Sequence, residues 1–277
     1  MTGSGKQTTM ADAVGELVRD GDTVAIEGFT HLICFAAGHE IIRQRRRDLT
    51  LARMTPDVIY DQMIGAGVAR KLIFSWLGNP GVGSLHAVRR RIEKADPDPL
   101  EIEEYSHFGM VCRYVAGASN LPFFPIRSYY ESDIPSVNPN IKPMRSPYDD
   151  GTEVFVVPPL RPDVSIVHAQ RADRKGNVQL WGILGIQKEA ILAADRALVT
   201  VEEVVDELEP RPGAIVIPTW AVTAVAAAPR GAYPSYAHSY YDRDNDFYKA
   251  WDAIARDRDE FTAWMEEHVL WSTAPTR

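Results

Sequence analysis

The amino-acid sequence predicts an α/β fold, in which an open, mostly parallel sheet is covered by helices and followed by a C-terminal helical extension. Strand-like runs recur along the chain and helical stretches separate several of them, the alternation typical of parallel sheets. The length of 277 residues suffices for one large α/β domain or two small ones. We expect an α/β domain over residues 1–240 and a helical extension over residues 241–277.

The first predicted element is a helix, which Thr8 or Thr9 can cap and Gly21 ends. Its apolar residues recur at helical spacing, at Met10, Ala13, Val14, Leu17 and Val18. A strand in "DTVAIEGF" and a helix around "AAGHEIIRQRRR" follow. Further strands are predicted in "LTLAR", "KLIFSW", "LEIEEY", "EVFVVP", "DVSIVHA", "ALVTVEE" and "AIVIP", and another helix in "SLHAVRRRIEKA".

Residues 120–152 break this alternation. The segment contains six prolines and three tyrosines and has no hydrophobic period. We therefore expect a long irregular excursion, which covers the active site or binds a partner. A pair of helices closes the chain, built on Phe247, Trp251, Ile254, Phe261, Trp264 and Met265.

The composition excludes several classes of protein. A net charge of −8 and a pI near 5.4 argue against a nucleic-acid-binding protein, which normally carries a basic surface. No apolar run is long enough to span a membrane, and the N-terminus lacks the apolar region of a signal peptide. Two distant cysteines fit a reducing compartment, and the histidine spacing contains no zinc motif. We expect a cytoplasmic protein without a metal site.

Two glycine-containing turns are candidate ligand-binding loops. Gly28, Phe29 and Thr30 follow a strand and lead into a helix, whose first N–H groups can bind an oxyanion or a phosphate. Gly81 and Gly83 lie in a similar turn, "GNPGVGS". Ligands of open α/β sheets usually bind at the carboxyl ends of the strands, where both turns are expected. An ordinary β–α turn is the alternative for each.

Two arginines are candidates for binding an anionic substrate. Arg171 lies in the distinctive string "VHAQRADRKGNVQLWG", whose charged side chains either cross-link a turn or contact an anionic ligand. Arg127 lies in the irregular excursion. Each arginine either binds a substrate carboxylate or another anionic group of the ligand, or forms a structural ion pair.

The stretch "EIEEYSHFGM" presents a candidate catalytic carboxylate. Glu103 and Glu104 are adjacent, so an extended chain directs them to opposite faces, and one of them can face inward. We consider Glu104 as a general base, which Ser106 and His107 orient by hydrogen bonds. The alternative is that Glu104 is only the acidic end of a strand.

Three strings carry a family resemblance: "GDTVAIEGF", "SIVHAQRADRKGNVQLWG" and "AADRALVTVEEVV". Over roughly residues 8–230 the chain resembles the α-subunits of class I, glutaconate-type CoA-transferases. The resemblance implies a parallel-sheet α/β fold and a partner β-subunit of similar fold, in a heterodimer or a heterotetramer. It also implies a CoA-thioester site between the two subunits, with coenzyme A as part of the substrate and no further cofactor.

The chain departs from this family at three places. It lacks the Ser-Glu-Asn-Gly type motif that carries the glutamate nucleophile in the β-subunits, so it does not supply that nucleophile. The usual Gly-Gly-Phe-Gly turn is replaced by Glu27-Gly28-Phe29-Thr30. The segment with Glu104, Ser106 and His107 stands where typical α-subunits have Pro-Gln-Gly-Thr shortly after a glutamate.

Within the family, the chain looks most similar to the branch of steroid ring-cleaving hydrolases of the IpdAB type, of which the terminal string "RGAYPSYAHSYYDRDNDFY" looks typical. That resemblance implies hydrolytic retro-Claisen cleavage of a cyclohexenone carboxyl-CoA from steroid rings C and D, with the thioester retained. Glu104 would activate water, and backbone N–H groups after Gly28 would bind the oxyanion. The alternative is a true CoA-transferase, which moves CoA between carboxylic acids.

Overall fold

The structure is a computed structural model that describes residues 5–148 and 151–271. Its strands are β1 (Gln7–Thr8), β2 (Thr23–Glu27), β3 (Leu49–Ala52), β4 (Ala69–Phe74), β5 (Glu101–Glu104), β6 (Phe124–Ile126), β7 (Lys142–Arg145), β8 (Glu153–Val157), β9 (Val164–Asp173), β10 (Val178–Leu180), β11 (Arg196–Val205), β12 (Ile215–Ile217) and β13 (Ala224–Ala227). Its α-helices are α1 (Met10–Leu17), α2 (Phe35–Arg43), α3 (Val58–Gly65), α4 (His86–Lys94), α5 (His107–Ala118), α6 (Ile134–Val137), α7 (Gln187–Ala193), α8 (Asn245–Arg256) and α9 (Arg258–Met265).

The main sheet is mostly parallel, as predicted. Its strands follow the order β1-β13-β11-β9-β2-β3-β4-β5, and every neighbouring pair in this order is parallel. Two short strands extend it differently, since β10 is antiparallel to both β9 and β12. The predicted α/β class is confirmed.

Helices cover both faces of this sheet. On β2, Val24 and Ile26 belong to the core beneath helices α1–α4, whereas Ala25 between them belongs to a second core beneath α5 and α7. This alternation follows from the two-residue period of a strand. Because both faces are covered, the buried centre of a strand is continuously apolar, as in "VAI" of β2.

The C-terminal helices share the first of these cores. Thr9 caps α1 at one end of the chain, and Trp251 of α8 is fully buried near the other end. The indole Nε1 of Trp251 donates a 3.0 Å hydrogen bond to the buried carboxylate of Asp61 on α3. The predicted helix pair is therefore present, and it packs directly on the α/β core.

The segment 120–152 is more ordered than expected. It contributes β6, α6 and β7, and its two strands flank β8 in a separate antiparallel sheet; positions 149 and 150 lie outside the described residues. Pro125 and Pro143 lie in the two outer strands, where a missing N–H is tolerated. The prolines conceal the strand pattern, which explains why the segment reads as irregular. The run "EVFVVP" belongs to this small sheet and not to the main one.

None of the helices in the described part of the chain is long and apolar enough to cross a membrane.

Candidate active site

A cleft of about 390 Å³ lies at the carboxyl ends of β2, β3, β4 and β5. These four strands are parallel neighbours, so the segments that follow them meet at one edge of the sheet. The residues that line the cleft are Phe29, Thr30, Arg53, Thr55, Asp57, Trp76, Pro80, Gly81 and His107. The sequence predicted Phe29, Thr30, Gly81 and His107 as site residues, and the structure brings these four together.

The turn after β2 forms one wall of the cleft. A Cβ atom on Gly28 would lie 2.7 Å from the carbonyl oxygen of Leu32, so only glycine fits this approach. Thr30 has a φ of 54°, in the left-handed region. Phe29 lines the cleft and exposes 40% of its surface. The turn is therefore tightly folded and presents an apolar ring together with a threonine.

Arg53 forms the floor of the cleft with its guanidinium already engaged. It bonds to the two carboxylate oxygens of Asp57 at 3.0 and 3.4 Å and donates to the carbonyl of Gly28 at 2.8 Å. Burial disfavours its charge, but the Asp57 carboxylate outweighs this effect and raises the pKa of Arg53. The Nε atom of Arg53 is buried without a hydrogen-bond partner. The pair thus fixes the β2 and β3 turns to each other.

Glu27 lies beneath the same turn and is not among the predicted site residues. Its Oε1 accepts hydrogen bonds from the Tyr114 hydroxyl at 2.8 Å and from the backbone N–H of Met54 at 3.1 Å. Burial raises the pKa of Glu27 to about 7, although the charge of Arg53 and these hydrogen bonds act in the opposite direction. The sequence feature that could have indicated Glu27 is a carboxylate at the end of a largely apolar strand.

His107 is the first residue of α5, and its imidazole lies in the cleft. Its Nδ1 is 3.0 Å from the hydroxyl oxygen of Ser75, which itself donates to the Met54 carbonyl at 2.7 Å. Ser106 does not line the cleft; it caps α5 by accepting a 3.0 Å hydrogen bond from the N–H of Gly109. The capping explains why Ser106 precedes a helix.

The structure directs Glu103 inward and Glu104 outward. Glu104 is exposed and does not line the cleft, and its backbone carbonyl accepts a 2.7 Å hydrogen bond from the Asn138 side chain. The buried Glu103 carboxylate contacts Lys71 at 2.7 Å and Arg113 at 2.9 Å. Burial acts to raise the pKa of Glu103, but hydrogen bonds from Lys71 and Tyr105 and the charge of Arg113 lower it overall. Glu103 is therefore held as a paired anion.

The two candidate glycines of the second turn contact different parts of the structure. Gly81, with a φ of 75°, lines the cleft, whereas Gly83 packs against Asp252 of α8. Asp252 also accepts hydrogen bonds from the Ser84 N–H at 3.2 Å and from His86 at 2.8 Å. Helix α8 therefore supports this wall of the cleft from behind.

The two candidate arginines lie away from the cleft. Arg127 is exposed and Arg171 is half-buried, and neither lines it among the described residues. Arg171 pairs with Glu203 and donates to the Tyr240 hydroxyl at 3.3 Å. The neighbouring Asp173 accepts a 2.9 Å hydrogen bond from the N–H of Asn177, within the turn that joins β9 to β10. Within the described ranges no group of three or more metal-ligating side chains is found.

Comparison with known proteins corrects the expected branch. The chain is 61% identical over 261 residues to one subunit of the 3-oxoadipate CoA-transferase of Pseudomonas knackmussii, covering 94% of this chain and 92% of that protein. By contrast, the cholesterol ring-cleaving hydrolase IpdA subunits of Mycobacterium tuberculosis and Rhodococcus jostii are 29% and 26% identical. They align over 87% and 91% of this chain, and over 85% and 87% of their own lengths. The assignment to the steroid ring-cleaving hydrolases was therefore wrong, together with its cholesterol substrate and C–C hydrolysis.

The alternative of a true CoA-transferase agrees better with the identity of 61%.

More distant comparisons agree on the family. The chain is 32% identical to one subunit of the glutaconate CoA-transferase of Acidaminococcus fermentans, over 96% of this chain and 88% of that protein. The crystal structure of that glutaconate CoA-transferase superimposes with a TM-score of 0.87, covering 98% of this chain and 90% of the other. The model of the coenzyme A transferase family matches residues 7–228, which include every residue that lines the cleft. The chain belongs to the coenzyme A transferase family.

Proposed function

We propose that the chain is one of the two different subunits of a CoA-transferase that transfers CoA to and from 3-oxoadipate. The observation that carries this proposal is the identity of 61% over 94% of the chain to a protein bearing that name. Glutaconate, the substrate named for the second relative, is like 3-oxoadipate a dicarboxylate. The substrate class is therefore a dicarboxylic acid and its CoA thioester.

The lining of the cleft supports an active site that is shared between this chain and a partner subunit. The cleft has one carboxylate among its described residues, Asp57, and Arg53 holds that carboxylate at 3.0 Å. Glu27 is buried beneath the turn, and Glu104 lies outside the lining. We therefore place the carboxylate that attacks the thioester on a partner subunit of similar fold, which covers this cleft.

The proposed reaction exchanges one carboxylate for another. Attack on the thioester carbonyl releases the CoA thiolate and forms a mixed anhydride; the thiolate then attacks the enzyme's acyl carbon and frees the first acid. The reverse sequence with the second acid forms the new thioester. Backbone N–H groups of the turn after Gly28 stabilise the oxyanions, since preorganised donors lower the energy of such intermediates. CoA enters as part of the substrate, and no further cofactor takes part.

The test is a transfer assay on the chain co-expressed with the product of the neighbouring gene. The complex receives 3-oxoadipate and one of three CoA donors, acetyl-CoA, succinyl-CoA or glutaryl-CoA, in ¹⁸O-labelled water. Mass spectrometry of the CoA species should show 3-oxoadipyl-CoA, and the released donor acid should carry no label from water. The chain alone and the complex without acceptor are the controls. Release of free CoA with labelled acid, independent of the acceptor, would contradict the proposal.

A further inference from the structure

The hydrogen-bond chain through Ser75 determines the protonation pattern of His107. A serine hydroxyl has one proton, and Ser75 donates it to the Met54 carbonyl at 2.7 Å. Ser75 can therefore only accept at its contact of 3.0 Å with His107, so Nδ1 of His107 carries a proton. The other ring nitrogen, Nε2, has no hydrogen-bond partner among the described residues and is the atom available to a ligand in the cleft.

Apart from His107, the described residues that line the cleft include no cationic side chain that is free to bind an anion. Arg53 is the one arginine or lysine in the lining, and Asp57 and the carbonyl of Gly28 occupy its terminal nitrogens. The Arg53–Asp57 pair is electrically balanced, so it offers little net attraction to an anion. A substrate with a second carboxylate would therefore find its cationic partner in His107 once Nε2 is protonated.

The first turn of α5 offers further donors for the same carboxylate. His107 is the first residue of this helix of 12 residues, and the side chain of Ser106 caps the N–H of Gly109. The unpaired N–H groups of a first helical turn carry partial positive charge and stabilise a nearby anion. In the same lining, Phe29 and Trp76 expose 40% and 43% of their surfaces, which suits the methylene chain of a diacid.

We infer that His107 is a specificity-determining residue, whose protonated Nε2 binds the carboxylate of the substrate that is not activated as the thioester. Ser75 is its positioning residue, since it holds Nδ1 and leaves Nε2 to the ligand. This inference rests on the proposed function, because it takes the substrate to be a dicarboxylic acid. It assigns the choice between dicarboxylates and monocarboxylates to this chain.

The test compares 3-oxoadipate with 3-oxohexanoate, which has a methyl group in place of the distal carboxylate. In the two-subunit complex, His107→Ala should lower kcat/KM for 3-oxoadipate at least tenfold, mainly through KM, and change kcat/KM for 3-oxohexanoate less than twofold. Added imidazole should restore part of the lost discrimination. Ser75→Ala should give a smaller loss in the same direction. His268→Gln, at an exposed histidine outside the cleft, serves as the control.

Equal losses for both acids, or no loss for either, would overturn the inference while leaving CoA transfer by the wild-type complex intact. A binding measurement separates the inference from the proposed function. With ¹³C-labelled histidine in the chain, the His107 resonance is identified by its absence in His107→Gln. It should shift on addition of 3-oxoadipate and not of 3-oxohexanoate, even if the complex transfers no CoA to either. An unmoved resonance with saturating 3-oxoadipate would also overturn it.

Discussion

Glu27 Oε1 accepts a hydrogen bond of 2.8 Å from the Tyr114 hydroxyl, which joins the end of β2 to helix α5 on the next layer. The same oxygen accepts from the N–H of Met54, the residue that follows Arg53 in the cleft. Three segments that build the cleft thus converge on one buried carboxyl group. The protonation state of that carboxyl group should therefore influence the stability of the folded chain.

The first prediction concerns pH. Because the pKa of Glu27 is raised from 4.5 to about 7, the folded chain holds this proton more tightly than the unfolded chain. The stabilisation is complete below about pH 4.5 and is lost as the pH rises through 7. Relative to Glu27→Gln, the wild type should lose about 3 kcal/mol of unfolding free energy between pH 4.5 and pH 8.

Urea denaturation at pH 4.5 and pH 8 measures this difference. Glu16→Gln is the matched control, since Glu16 is exposed on α1 and its substitution should leave the pH dependence of the wild type unchanged. Parallel pH profiles for the wild type and Glu27→Gln would show that Glu27 does not carry the effect.

The second prediction concerns the buried ion pair. Arg53→Met leaves the Asp57 carboxylate buried without its partner and should lower the unfolding free energy by about 3–5 kcal/mol. Adding Asp57→Leu removes the uncompensated charge, so the double variant should be more stable than Arg53→Met alone. Both are measured by urea denaturation. A double variant less stable than either single variant would contradict a coupling through charge.

The third prediction concerns the glycine of the β2 turn. Gly28→Ala places a Cβ atom against the carbonyl of Leu32, at 2.7 Å, so the backbone must move. We expect a loss of about 1–3 kcal/mol in unfolding free energy and reduced transfer activity of the complex. Gly15→Ala is the opposite case: Gly15 lies in α1 with space for a methyl group, and its replacement should stabilise the helix by about 0.5–1 kcal/mol. Thermal denaturation measures both effects. If the midpoint shifted in the same direction for Gly28→Ala and Gly15→Ala, the proposed role of the glycine at position 28 would be contradicted.

The fourth prediction concerns the docking of the C-terminal helices. Trp251→Phe removes the 3.0 Å hydrogen bond to Asp61 and leaves a buried carboxylate with fewer donors. The unfolding free energy should fall by about 1–3 kcal/mol. At Trp271, which is 72% exposed, the same substitution should change stability by less than about 0.5 kcal/mol. Equal effects at the two positions, measured by urea denaturation, would show that the Asp61 contact contributes nothing specific.

Much of the fold was predictable because it depends on local patterns. The helical spacing from Met10 onward predicted α1, which ends at Leu17 and not at the predicted Gly21, and the string "DTVAIEGF" predicted β2. The glycine-containing turns also predicted the edge of the sheet at which the cleft lies, since Gly28 and Gly81 lie in the turns that follow strands. The strands β6 and β7 were not predicted because each contains a proline, which normally argues against a strand. Edge strands tolerate proline, since one of their sides needs no N–H donor.

The choice between Glu103 and Glu104 could not be made from the sequence. A strand directs adjacent side chains to opposite faces, but only the packing partners decide which face is buried. Those partners are Lys71 on the neighbouring strand and Arg113 on α5, and they select Glu103. The same limit applied to Glu27, whose partner Tyr114 lies 87 positions along the chain.

The sequence by itself therefore determined most of the elements, their mostly parallel arrangement and the family, since each rests on patterns within a segment or on strings of residues. The tertiary structure alone decided which side chains share the cleft. Arg53, Trp76 and His107 follow three different strands, and they meet only because β3, β4 and β5 are adjacent and parallel. Such contacts depend on the order of strands in the sheet, which no local period of the sequence encodes.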